Sequence, residues 1–315
     1  FPTNKADIYK NLDFFIENFL QNYASKRNFD LGPPHPNVSK LSPFIRRRYL
    51  SEIEILETIF PKYSINSVDK FVLVEGTKSH QGKEKKLYFD ENKSEFKKYE
   101  NKIIHHIIDD YPPIEDLNKF DPFIYDYHTR NAIGYALEKI KKSSNDILLI
   151  SDVDEIPNYN FFSKFRGNIT IFKQYMLYFH LNLRCVGFEL DYGDGLWGGT
   201  KMLYLKNFTT AQEIRNIKPK KYGWWRFDKP KLDFFINAGW HFRFLGDEET
   251  IFNEFKNRAI GFTEEKLNRY NKSDLKKIIQ NQLELVGGEK YSKFDLSKLP
   301  EEVFLNKEKY QKYLI

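Results

Sequence analysis

Four consecutive apolar residues, Ile147-Leu148-Leu149-Ile150, run directly into Ser151-Asp152-Val153-Asp154-Glu155-Ile156-Pro157. The apolar run has the length and the branched side chains of a buried strand. Two aspartates at period two stand where that strand should end. Residues two apart on an extended backbone project to the same side. Asp152 and Asp154 are therefore expected to aim both carboxylates at one point, with Glu155 one step round. Hard divalent cations want such oxygens, and Mg²⁺ or Mn²⁺ is commonly held by one or two carboxylates plus substrate phosphates. Pro157 lacks an N–H and should stop the pairing, which puts the cluster at a strand mouth. In open α/β sheets that is where ligands bind. A lone Asp-x-Asp also describes a solvated turn; the clean strand before it and Glu-Ile-Pro after it favour the metal reading.

The rest of the chain supplies a setting for that strand. Residues 1–65 read as a small helical N-terminal segment, with Leu12, Phe15, Ile16, Phe19 and Leu20 at helical spacing. A Gly/Pro-rich loop follows at 28–36, and Ser51 with Glu54 is a capping-box signature opening a helix over 52–60. From residue 68 the pattern alternates. Strands are expected at 70–75, 103–108 and 147–150, with a helix over 126–142 carrying Ile133, Ala136, Leu137 and Ile140 inward. Strands separated by helical or long crossovers predict an α/β fold with a mostly parallel sheet and flanking helices over 66–315. Residues 169–206 are β-rich with little helix between, and are expected to wall the acceptor side. Helical patterns return at 248–259 and 274–285.

Composition narrows the function classes. The 315 residues suffice for a substantial core. The net charge of +6 is dispersed, with no block beyond Arg46-Arg47-Arg48, so a nucleic-acid partner is not expected. A single cysteine, Cys185, excludes an internal disulfide and any Cys-rich zinc site, and reads as a core residue. No stretch approaches the ~18 apolar residues of a membrane span. Without an anchor or disulfides, a bacterial or viral cytoplasmic setting is expected over a Golgi lumen. Oligomeric state is left open.

Several further groups can serve chemistry around the acidic turn. Gly239-Trp240-His241 follows the apolar run Phe234-Phe235-Ile236-Asn237-Ala238, and a neutral His241 imidazole could complete a coordination begun by the aspartates. The loop Glu75-Gly76-Thr77-Lys78-Ser79-His80-Gln81-Gly82-Lys83 leaves a strand with polar side chains that could contact base, ribose or phosphate; Glu75, His80 and Lys83 are the candidates. Arg130, beside Asn131, could offer a bidentate fork to a diphosphate. In Leu196-Trp197-Gly198-Gly199-Thr200-Lys201 the Trp197 ring could stack on a sugar, with Lys201 as a nearby cation and Trp240 as a second ring. Each of these also has a plain structural alternative: a core histidine, a surface turn, a helix-end ion pair or a hairpin with a packed tryptophan.

Taken in order, these pieces resemble family 17 of the glycosyltransferases, the group of the β-1,4-mannosyl-glycoprotein β-1,4-N-acetylglucosaminyltransferases. The matching elements are 68–75, Gly82-Lys83 with Leu87-Tyr88-Phe89, Arg130-Asn131-Ala132-Ile133, 152–157, Gly239-Trp240-His241 and the Leu299-Pro300 tail, over about residues 52–315. The resemblance implies a GT-A-type fold, a UDP-sugar donor (UDP-GlcNAc in characterised members), a glycan acceptor, and Mn²⁺ or Mg²⁺ at the Asp-x-Asp. Metal ligands would be Asp152, Asp154 and His241. Asp152 would also meet the nucleotide-sugar, and Asp154, Glu155 and Asp191 are the catalytic candidates. An inverting transfer needs a carboxylate base for the acceptor hydroxyl; Glu189, Asp191, Asp194 and Asp247 are the candidates.

The opening of the chain resembles something else. Tyr23-Ala24 with Arg27-Asn28-Phe29-Asp30, then Ser39, Leu41-Ser42-Pro43 and Arg46-Arg47-Arg48, is similar to the start of the flavin-binding helical domain of photolyases and cryptochromes. The later Trp- and Arg-rich helices of that flavin cup have no counterpart, so FAD is not expected. Family 17 chains open with an apolar strand that is missing or replaced here. That motivates a second expectation, a catalytically silent nucleotide- or glycan-binding scaffold. A phosphohydrolase with Asp152 as nucleophile is a third reading; it wants Thr or Val where Ile156 stands.

Overall fold

The computed structural model describes residues 68–115, 119–187, 195–220, 223, 225, 226, 228–246, 248–257, 272–283 and 289–315. The expected helical segment 1–65, with its 52–60 helix, lies outside them. The chain divides into two units, Phe1–Ser51 and Glu52–Ile315, and every described residue belongs to the second.

Strand β1 (Phe71–Gly76) pairs in parallel with β2 (Ile103–Ile108), Phe71 beside Ile103 and Gly76 beside Ile108. Their connection carries a short helix, α1 (Tyr88–Glu91), and a 3₁₀ run over Lys93–Lys102. Helix α2 (Pro122–Glu138) starts earlier than the apolar spacing predicts. Asp121 is its N-cap and accepts from the Phe123 N–H at 3.0 Å, and Pro122 fills the first helical position. Both residues satisfy or remove N–H groups that a helix start leaves without partners. Strand β3 (Ile147–Ile150) has the expected bounds.

The remaining elements are β4 (Glu155–Pro157), β5 (Ile169–Tyr178), β6 (Leu183–Val186), β7 (Leu196–Tyr204), α3 (Ala211–Asn216), β8 (Leu232–Phe235), β9 (Gly239–Arg243), α4 (Glu248–Asn257), α5 (Lys272–Asn281), β10 (Lys290–Lys293) and α6 (Glu301–Leu305). Among the described residues, β1 and β2 form one sheet. The second runs β10-β6-β5-β7-β3, with β8 and β9 also on β5, and β4 on β9. The fold is α/β, but the mostly parallel sheet is not what the chain builds. Pairings β10–β6, β6–β5, β5–β7, β7–β3 and β4–β9 are antiparallel; only β8 and β9 join β5 in parallel. The reason lies in the connections. The link from β5 to β6 is too short for a crossover helix, so those two strands can pair only antiparallel, while β7 pairs antiparallel on the other edge of β5 and runs the same way as β6.

Helix α2 packs on both sheets. Its Tyr125 and Ala132 join Ile108 and Tyr111, with Val74 of β1 against them. Its Ile133 packs on Ile150, Leu203, Ala211 and Ile214. Cys185 is buried beside Met176, Tyr178 and Leu183, as a core residue should be. Among the described residues no helix is long and apolar enough to cross a membrane.

Candidate functional site

Asp152-Val153-Asp154 does not extend β3. The Glu155 N–H donates to the Asp152 carbonyl at 3.0 Å, closing a turn with Val153 exposed at its tip. Pro157 is likewise no simple stop: Glu155–Pro157 is itself a strand, antiparallel to β9, with Pro157 opposite Gly239. The two aspartates therefore meet different partners. Asp152 takes Arg215 Nη2 on Oδ2 at 2.9 Å and faces Arg130 Nε with Oδ1 at 3.5 Å. Asp154 Oδ2 lies 3.1 Å from His241 Nε2. The β4–β9 register explains that contact, since His241 stands opposite Glu155 and the Phe242 N–H donates to the Asp154 carbonyl at 2.9 Å.

Arg215 is the site residue that sequence reasoning missed. It sits in the last turn of α3, whose Thr210 hydroxyl accepts from the Glu213 N–H at 3.2 Å. Thr210 with Glu213 is the spacing of a capping box, and it is the one local signal for the helix. Arg215 grips Glu155 twice, Nη1 to Oε2 at 2.8 Å and Nη2 to Oε1 at 2.7 Å. Trp197 Nε1 adds a bond to Oε1 at 2.6 Å, and the Asp152 N–H one to Oε2 at 3.3 Å. The Glu155 side chain has no exposed surface. Burial alone would raise its carboxyl; the Arg215 guanidinium outweighs that, and the group is held below the ordinary glutamate range. Glu155 thus anchors Arg215 beneath the turn.

Lys201 lies on β7 opposite Ile150 and is buried as well. Its Nζ donates to the Gly198 and Gly199 carbonyls at 2.7 and 2.8 Å. Burial, reinforced by the nearby Arg215, lowers its pKa to about 7. The floor of the turn is polar too: Ser151 and Thr200 hydroxyls meet at 2.7 Å, and Gln174 Nε2 donates to Thr200 at 3.3 Å.

The other expected residues divide by position. Arg130 and Asn131 sit on α2 against α3: Arg130 Nη1 bonds Asp126 at 3.0 Å and also the Gln212 side chain, and Asn131 Oδ1 accepts the Gln212 N–H at 3.0 Å. His80 Nε2 approaches Asp126 at 3.7 Å, which puts its loop near the same end of α2. Lys83 is exposed on that loop. Glu75 is buried below it; its carboxylate accepts from the Phe89 and Asp90 N–H groups at 3.0 and 3.4 Å and lies 3.1 Å from His105 Nε2, so it caps α1. Trp197 leans on the His241 ring at a centroid distance of 5.1 Å. Trp240 faces away, donating to the Lys298 carbonyl at 2.7 Å and packing with Ile156, Leu177 and Phe294. Glu189, Asp191, Asp194 and Asp247 lie outside the described residues.

The donor set suits a cation only in part. Among the described residues no three His, Cys, Asp or Glu side chains form a ready cage. Asp152 and Asp154 are each 38% exposed at the side chain, which gives two hard-oxygen donors. That is the number a phosphate-bound Mg²⁺ or Mn²⁺ usually takes from protein. His241 Nδ1 is buried with no hydrogen-bond partner, while Nε2 is committed to Asp154. The residues fit a cation shared with phosphate oxygens.

The model of glycosyltransferase family 17 matches residues 49–283, more than half of the chain. The chain belongs to glycosyltransferase family 17. Its reaction class is glycosyl transfer, with a donor and an acceptor as substrates. The match takes in the acidic turn, α2, α3 and β9, so every side chain placed around Asp152 lies inside the family 17 region. The Leu299-Pro300 tail lies beyond it. No curated protein and no solved structure matches this family 17 chain.

Proposed function

We propose that this enzyme transfers N-acetylglucosamine, or a related sugar, from a UDP-sugar to a glycan hydroxyl with inversion, using Mn²⁺ or Mg²⁺. The observation that carries the reading is the acidic turn itself. It presents two partly exposed carboxylates, with Arg130 and Arg215 converging on Asp152 from two helices. Carboxylates suit a divalent cation and guanidinium forks suit a diphosphate, so the pair is a fitting receptor for a nucleotide-sugar. Such a cation, when bound, supplies neutralisation of charge developing on the leaving UDP. The chain's own residues orient: Glu155 and Trp197 fix Arg215, and His241 holds Asp154. His80 and Lys83 lie on the loop that would contact the nucleotide, and Glu189, Asp191, Asp194 and Asp247 are the candidates for the acceptor base.

A donor screen measuring UDP release with Mn²⁺ tests this. Asp152→Ala should cut the rate at least about 100-fold, on the scale of a lost transition-state electrostatic contact. Its stability should fall by only about 1 kcal/mol, because the carboxylate removed is partly exposed. Wild-type rates in that variant would remove the site. Absence of any metal-dependent UDP binding by the wild type would leave a silent scaffold.

A further inference from the structure

We propose that Arg130 and Arg215 form the seat for the donor's diphosphate, and that the Asp152 carboxylate is the placeholder anion on that seat until donor and cation arrive together. This rests on the UDP-sugar reading above. Both oxygens of Asp152 are committed, Oδ2 to Arg215 at 2.9 Å and Oδ1 to Arg130 at 3.5 Å. The two guanidiniums are held from behind and do not depend on Asp152 for their position. Arg215 is pinned by Glu155 and, through it, Trp197; Arg130 is pinned by Asp126 and Gln212. Asp152 is the exposed member, at 38% against 8% for Arg215 and 18% for Arg130.

A divalent cation that took Asp152 alone would leave each guanidinium with one carboxylate in place of two, Arg215 with Glu155 and Arg130 with Asp126, and would sit beside two like charges. A diphosphate arriving alone would meet the carboxylate already on its seat. Together they exchange cleanly: Asp152 turns to the cation, and phosphate oxygens replace it on the two arginines. The coupling is reciprocal, each ligand tightening the other by the same factor. Asp152 therefore has two opposed effects. With cation present it supports UDP binding; without cation it blocks it.

The test is UDP affinity in EDTA, followed by calorimetry, with inorganic pyrophosphate as a second probe and thermal melts to confirm folding. Asp152→Asn should bind UDP without any cation about tenfold tighter than the wild type does, as expected for a freed pair of charge-assisted donors. Adding Arg130→Gln to that variant should erase the gain, and pyrophosphate should reproduce the pattern. If Asp152→Asn fails to fold, Arg130→Gln alone should weaken binding of the Mn²⁺–UDP pair about tenfold while leaving binding of Mn²⁺ alone undiminished. Equal or weaker cation-free binding by a folded Asp152→Asn overturns the proposal, as does a gain with UDP that pyrophosphate lacks, or an Arg130→Gln that binds Mn²⁺–UDP as the wild type does. In those cases Mn²⁺–UDP binding by the wild type would still stand and keep the donor reading. A wild type that binds no UDP under any condition sinks both.

Discussion

A lysine sealed inside a sheet is a charge that folding must tolerate, and at Lys201 the charge is given up near neutrality. The residue is 2% exposed, and Arg215, Glu155, Asp152 and Arg130 are the charges around it. Its pKa falls from the ordinary 10.5 to about 7, first through burial and then through Arg215. Below about pH 7 both folded and unfolded chains hold the proton, and the full penalty of a buried ammonium is present. Between the folded and unfolded values the unfolded chain binds more protons, so stability rises with pH by up to about 1.4 kcal/mol per unit. Lys201→Met removes the titration and keeps the stem. Urea unfolding from about pH 6 to pH 9 should show the wild type gaining on the variant as pH rises; parallel curves would mean Lys201 keeps its proton. As a sequence, Gly198-Gly199-Thr200-Lys201 reads as a hairpin connection in a β-rich stretch, with a cation near the Trp197 ring. Nothing local reveals that the chain there is a central strand, or that the ammonium curls back onto carbonyls two and three residues behind it.

At the scale of elements, the acidic turn depends on how closely β4 and β9 approach, and Gly239 permits that approach. Its φ of +148° is open to glycine, and a Cβ there would stand 2.2 Å from the Ile156 carbonyl oxygen and 2.9 Å from Pro157 Cα. Gly239→Ala must push the two strands apart. The strain should cost roughly 1–3 kcal/mol, read as a shift in the urea midpoint. Activity should fall further than stability, because His241 and Phe242 on β9 hold Asp154. A variant with native stability and native rates would show that the strands can separate without disturbing the turn. The same elements show how much is legible in sequence. β2 and β3 fall at their expected bounds, β3 as an unbroken apolar run and β2 as two isoleucine pairs around His105-His106, and His241 can be matched to the acidic turn because both follow apolar runs. Strand direction is not legible, since it is set by which strands become neighbours. The Asp-x-Asp turn reads as extended because period two fits both a strand and a tight turn. Arg215 is hidden for another reason: its partner lies about sixty residues away, and a six-residue helix leaves little periodicity to detect.

For the molecule beyond the N-terminal unit, the decisive element is α2, a single helix serving two sheets with adjacent residues. Ala132 packs toward β1 and β2, where Ile108, Tyr111 and Tyr125 surround it at 2% exposure. Ile133 packs toward β3, β7 and α3. Arg130, on the same helix, delivers the guanidinium that faces Asp152. The β1–β2 pair is thus tied to the larger sheet, among the described residues, largely through one side of one helix. Ala132→Leu adds three carbons where a methyl group now fits. Overpacking of this kind costs about 1–3 kcal/mol, and the larger sheet's buried cluster around Phe172, Met202 and Ala238 includes no residue of α2. Hydrogen exchange should therefore speed up in Phe71–Gly76 and Ile103–Ile108 while Ile169–Tyr178 stays protected. Uniform acceleration across all three strands would show instead that the two sheets open as one cooperative unit. Because relief of the clash moves α2, Arg130 moves with it, and UDP affinity should weaken in the same variant although no residue at the acidic turn has changed. A functional defect travelling with local opening of β1–β2 would identify α2 as the element through which the small sheet holds the site in register.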